Sequence, residues 1–129
     1  MNKIEKFEDI IAWQKARVLT RDVYAATKVG LFAKDFGLRD QIQRASVSTM
    51  ANIAEGYERG GNKEFVQFLS NSKGSCGEVR SHLYVALDQN YITQEGFDQI
   101  YGAADEVGRL LSGFMGYLRN SDLRGNKFR

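Results

Sequence analysis

The 129-residue chain contains no proline. Proline removes a backbone donor and clashes with the preceding turn, so its absence favours long unbroken helices. Cysteine is almost as scarce. Cys76 stands alone, which excludes an internal disulfide framework and fits a reducing compartment. His82 is the single histidine. A di-metal site in a helical bundle takes a carboxylate from each of two helices and a Glu-x-x-His from each of two others. Glu78 and His82 are four apart and no second set exists. His82 therefore reads as a surface or interface residue, and no metal or cofactor is expected. No apolar run approaches the ~20 residues of a membrane span. Residues 1–9 alternate charge and lack the apolar core of a signal peptide. A soluble cytoplasmic protein with no membrane partner is expected. Net charge is only +2, from 18 basic and 16 acidic residues. That balance neither predicts nor excludes nucleic-acid binding, because local patches matter more than the sum.

What is present is a hydrophobic content of 43%, too high for a disordered chain and enough for one domain with a core. Four segments carry apolar rows at steps of three and four. The first spans about 8–28, with Ala12, Ala16, Leu19, Val23 and Ala26 in its row. The second spans about 36–58, with Leu38, Ile42, Ala45, Thr49 and Ile53, and stops at Gly60-Gly61. The third spans about 63–89 after Asn62 as N-cap, with Phe65, Phe68, Ser72, Cys76, Val79, Leu83 and Ala86. The fourth follows Thr93 as N-cap and runs to about 120, with Phe97, Ile100, Ala104, Val107, Leu111, Phe114 and Leu118. No strand alternation or repeat interrupts them. The expected fold is all-α, one antiparallel up-down-up-down four-helix bundle over residues 1–129, with a frayed tail at 121–129.

Glycine recurs inside the last two helices, at Gly74, Gly77, Gly102, Gly108, Gly113 and Gly116. Each costs about 1 kcal/mol against alanine. Either a backbone approaches closely there, at a helix or subunit contact, or the bundle tolerates the cost.

The second helix also carries a polar stripe beside its core row. Gln41, Arg44, Ser48, Asn52 and Glu55 share one side. If the second and third helices form a hairpin about Gly60-Gly61, counting sets Arg44 level with Glu78. It sets Ser48 near Gly74 and Ser75, and Asn52 near Asn71. A cross-helix network with Arg44 paired to Glu78 is the favoured reading, since an unpaired buried charge is costly. Side chains facing a ligand are the alternative. Cys76 lies in an apolar row and reads as an inert core thiol. Ser72 and Ser75 lack a placed base, and Gly56 to Gly61 is no phosphate loop. No catalytic residue is assigned and no enzyme is expected.

The run Gln41-Ile42-Gln43-Arg44-Ala45-Ser46-Val47-Ser48, then Asn52-Ile53-Ala54-Glu55-Gly56, then Glu64-Phe65, Phe68-Leu69, Gly74-Ser75 and Glu78, resembles the 23S rRNA intervening-sequence family. Trp13-Gln14-Lys15-Ala16 is similar to that family's first helix, and the resemblance covers about 7–118. The family usually carries a proline before its second helix; Leu31 to Asp35 has none. The resemblance implies a bacterial four-helix bundle encoded within insertions in 23S rRNA genes or as a free-standing gene. Similar bundles, the accessory proteins of diversity-generating retroelements, form pentamers that associate with a reverse transcriptase and nucleic acid. The resemblance thus implies a homo-oligomer, a pentamer, with RNA or DNA or a nucleic-acid-handling protein as partner. An interaction scaffold without nucleic acid is the alternative.

Two surface features bear on that. Trp13 and Tyr24 flank the first core row, and Tyr84 and Val85 lie off the third, an apolar excess that marks a subunit contact. One end of the bundle gathers Lys3, Lys6, Arg59, Lys63, Arg119, Arg124, Lys127 and Arg129 against Glu5, Glu8, Asp9, Glu58, Glu64 and Asp122, a net +2. The other end has Lys28, Lys34 and Arg39 against Asp35, Asp40, Asp88, Glu95 and Asp98, a net −2. Five parallel copies give about +10 on one face, so Arg59, Lys63, Arg119, Arg124, Lys127 and Arg129 are the expected nucleic-acid contacts.

Overall fold

The computed structural model describes residues 3–123. Four α-helices follow one another: α1 (Ile11–Thr27), α2 (Phe36–Glu58), α3 (Asn62–Asp88) and α4 (Gln94–Leu123). There is no strand among the described residues. The end of α4 reaches Leu123, so 121–123 are helical where a frayed tail was expected. The rest of that expectation, 124–129, lies outside the described residues.

Local chemistry sets the helix ends. A short 3-10 turn, Phe7–Asp9, precedes α1, where one continuous helix from about 8 was expected. Extended Ile10 separates the two. The Asp9 carboxylate holds the turn by accepting from the backbone of Glu5 (2.9 Å) and Lys6 (3.2 Å). The Asp35 carboxylate caps α2 through Leu38 N–H (3.1 Å). Thr93 caps α4 as expected, accepting from Gly96 N–H at 3.0 Å. Asn62 does not cap α3. Gly61 holds that position, and buried Asn62 donates instead to the Leu118 carbonyl of α4 (3.2 Å). Asn90 ends α3 at φ 62°. The Tyr91 N–H bonds to Ala86 O and the Asn90 N–H to Leu87 O, which is a Schellman closure with asparagine in the usual glycine place.

Cross-helix pairs run in opposite order along consecutive helices. Thr20 and Thr27 of α1 meet Ser46 and Gln43 of α2. Ser48 and Thr49 of α2 meet Ser75 and Ser72 of α3. Phe65 and Tyr84 of α3 pack on Phe114 and Phe97 of α4. Each helix is therefore antiparallel to the next, and α1 packs against α4 to close the bundle. The rows predicted for α1, α3 and α4 each slip at one position: Thr27 is buried in place of Ala26, Leu69 in place of Phe68, and Met115 in place of Phe114. Ala26 and Phe114 stay half-buried and pack on the core from its edge, and Phe68 is half-buried beneath Arg59.

The α1–α2 connection is held without proline. Phe32 is buried and stacks on Tyr91, ring centroids 5.4 Å apart. The Tyr91 hydroxyl donates to Asp35 at 2.9 Å. The connection is thereby tied to the α3–α4 turn.

Candidate functional site: the polar seam and the charged surfaces

The centre of the α2 stripe forms a network. The Ser48 and Ser75 hydroxyls lie 2.9 Å apart across the α2–α3 seam. Asn52 donates to the Ser48 carbonyl (2.9 Å) and hydroxyl (3.0 Å). It does not reach Asn71, which is exposed. Below this seam the Ser72 hydroxyl donates to the Thr49 carbonyl. Small hydroxyl residues let the two helices approach while their polar atoms stay satisfied.

The ends of the stripe behave differently. Gln41 and Arg44 are exposed. Glu55 turns to Arg59 on its own helix at 2.7 Å. The expected Arg44–Glu78 pair does not form: the Glu78 carboxylate is 62% exposed and lies 3.9 Å from His82, also on its own helix. The two residues share a height but point outward, where an ion pair gains little against the entropy of fixing two long side chains.

Cys76 is buried with its sulfur 2.9 Å from the Ala104 carbonyl. Burial pushes its thiol up to about 11, so it is protonated and inert at neutral pH. No cluster of His, Cys, Asp and Glu among the described residues is arranged to hold a metal ion. No helix among them is long and apolar enough to cross a membrane.

Gly56 is the glycine that packing requires. A Cβ there meets Phe68 Cβ at 2.7 Å and Phe65 Cδ1 at 2.8 Å. The other interior glycines are open. An added Cβ meets nothing within 4 Å at Gly74, Gly102, Gly108, Gly113 or Gly116, and at Gly77 only the Arg80 guanidinium at 3.5 Å. Close helix packing within one chain therefore does not explain them.

At the basic end, Arg59 is spent. It bonds Glu55 (2.7 Å) and Glu64 (3.5 Å) and lies over the Phe68 ring at 5.0 Å. Lys63 and Arg119 are exposed and form no ion pair among the described residues. Arg124, Lys127 and Arg129 lie outside the described residues. Trp13 is also accounted for within the chain, edge-on to Phe7 at 5.2 Å and beneath Arg17 at 5.9 Å. Tyr84 remains 51% exposed and Val85 44%. Tyr84 belongs to an aromatic cluster with Phe97 and Tyr101.

Two surfaces were not singled out in the sequence. Ile11 and Val18 of α1 are 49% and 43% exposed, one heptad apart on one side of the helix. Between α1 and α2 lies an open depression of about 300 Å³ lined by Tyr24, Asp40, Gln43, Arg44 and Val47. The heptad spacing of Ile11, Val18 and Ala25 was a readable signal for the first. The second needed the helices placed side by side.

Residues 8–113 match the family model of the 23S rRNA-intervening sequence proteins. A similar solved structure is a protein of unknown function from the S23 ribosomal protein family of Bacteroides thetaiotaomicron. It is 24% identical with a TM-score of 0.75, over 81% of this chain and 98% of that one, a likeness of fold. No curated protein matches the chain.

Proposed function

The chain belongs to the 23S rRNA-intervening sequence protein family, and from that membership we propose a non-catalytic, cytoplasmic, homo-oligomeric bundle that binds nucleic acid. The observation that carries the oligomer is apolar exposure on two separate faces. Ile11 and Val18 stand out on α1, and Tyr84 and Val85 on α3. Two different apolar faces on one chain suit a head-to-tail contact that closes into a ring. A pentamer fits the similar bundles of retroelement accessory proteins. The open glycines of α4 fit the same reading, since they let a neighbouring subunit approach closely.

Nucleic acid is the partner that the family's setting favours. In a ring all subunits point one way, so Lys63 and Arg119 repeat around one rim. Anisotropy of a labelled RNA at about 50 and 200 mM salt tests this, because phosphate contacts make affinity fall steeply with salt. Binding that weakens with salt, and weakens further when 124–129 are deleted, supports the reading. No binding of RNA or DNA at the lower salt leaves the scaffold reading. The neutralisation of Arg59 by Glu55 and Glu64 is the observation that favours that alternative.

A further inference from the structure

Among the described residues, a group of cations without ion-pair partners lies along the side of the bundle. Arg17, Arg21 and Tyr24 of α1 and Lys28, its C-cap, recur at steps of four, three and four, so they share one side of the helix. That side borders α2. Thr20 and Thr27, just beneath it, reach Ser46 and Gln43 of that helix. Tyr24 itself lines the open depression, with Arg44 of α2 on the opposite wall. Arg17, Arg21, Lys28 and Arg44 are all exposed, and none forms an ion pair among the described residues.

Carboxylates do not offset this groove. Asp40, the acid in the depression, is held by Arg39 at 3.0 Å. Asp22 lies one heptad from Lys15, on the opposite flank of α1, where Lys15 reaches Glu106 of α4 at 3.8 Å. Along α2 the next acid after Asp40 is Glu55, eleven residues past Arg44, or about 16 Å along the helix, and it is held by Arg59 at 2.7 Å. The chain as a whole carries +2. Four uncompensated cations here leave the remainder of the molecule at net −2, so this groove attracts an anionic chain.

We infer that the α1–α2 groove is a binding track for single-stranded nucleic acid, with phosphates on Arg17, Arg21, Lys28 and Arg44 and a base in the Tyr24 depression. This rests on the nucleic-acid reading above and places the contact on the side of the bundle rather than at its end. The dimensions agree. From Arg17 to Lys28 the backbone rises about 16 Å, enough for a short run of nucleotides. A partly buried tyrosine between flanking cations is the arrangement that sequence-tolerant single-strand binders use, with the ring stacking on a base and the cations following the backbone. A duplex keeps its bases paired inside and makes no use of the tyrosine.

The test uses the full chain, a labelled 20-nucleotide single strand and anisotropy across a salt series. A variant with Arg17, Arg21, Lys28 and Arg44 all changed to Gln is expected to bind at least about tenfold more weakly. Its log affinity against log salt should flatten by about 3, at roughly 0.7 per lost phosphate contact. The single variants Arg21→Gln and Arg44→Gln should each flatten it by about 0.7. Tyr24→Ala should lose about fivefold to a hundredfold with the salt slope unchanged, and Tyr24→Trp should keep binding. If the groove variants bind like wild type while Lys63→Gln/Arg119→Gln is weakened, the groove is wrong and the nucleic-acid reading stands. If wild type binds nothing at about 50 mM salt, that reading fails as well. Duplex competing as well as single strand, or Tyr24→Ala binding undiminished, overturns the base-in-depression geometry.

Discussion

Gly56 makes the sharpest single-residue prediction. Its missing side chain is the space that Phe65 and Phe68 occupy. Gly56→Ala should destabilise the bundle by about 1–3 kcal/mol in urea unfolding, the range for overpacking, despite alanine's better helix propensity. At the seam, a double-mutant cycle on Ser48→Ala and Ser75→Ala should return a coupling of about 1 kcal/mol, as for one neutral hydrogen bond. Arg44→Ala should change stability by less than about 0.5 kcal/mol, since the residue is exposed and unpaired. The sequence placed Ser48 opposite Ser75 correctly, because residue counts along an antiparallel hairpin fix axial height. They do not fix the direction in which a long side chain leaves the helix. That is why Arg44 and Glu78 share a level and do not meet. Asn52 was set at the height of Asn71, but it bonds Ser48 on its own helix and Asn71 is exposed.

At the scale of elements, α2 was legible end to end, from about 36 to 58 with the glycine pair after it; its Asp35 cap was not read from the sequence. The α1 row slipped because a threonine, Thr27, is buried at its end, and the α3 and α4 rows were legible except where two apolar residues stand side by side. Phe68 and Leu69 both fit helical spacing, as do Phe114 and Met115. Only the packed partner decides between them. The α1–α2 connection was the least readable part, because its order comes from a distant turn. The Tyr91 hydroxyl's hydrogen bond to Asp35, and then partial burial, raise its pKa above the ordinary 10.0. A raised phenol stabilises the fold while protonated. That contribution is complete below about pH 10 and is lost as pH rises through the higher folded value. Tyr91→Phe should therefore lower Tm at neutral pH, and the gap from wild type should close in strongly alkaline buffer. A gap independent of pH would contradict the Asp35 contact. The exposed glycines of α4 give a second expectation. Gly102→Ala and Gly113→Ala meet no atom within 4 Å in one chain, so each should raise helix stability by about 1 kcal/mol. If a subunit covers them, the same substitutions should weaken assembly, seen as a concentration-dependent mass.

For the whole molecule, the fold needed little beyond spacing. Four apolar rows and short connections dictate a bundle before any coordinate is known. The surfaces were less legible. The end cluster counted in the sequence includes Arg59, which the structure shows to be held by two carboxylates. The side groove draws on α1 and α2 together and appears only when the helices lie next to each other. The central claim is a closed homo-oligomer that holds nucleic acid, and light scattering coupled to size-exclusion chromatography tests both halves at once. The full chain is run alone and with a single-stranded RNA oligonucleotide at about 50 mM salt, where electrostatic binding is strong. The account predicts a species near five times the 14.6 kDa chain mass, about 73 kDa, with RNA co-eluting in the same peak. A single 14.6 kDa monomer with all the RNA eluting separately would contradict it.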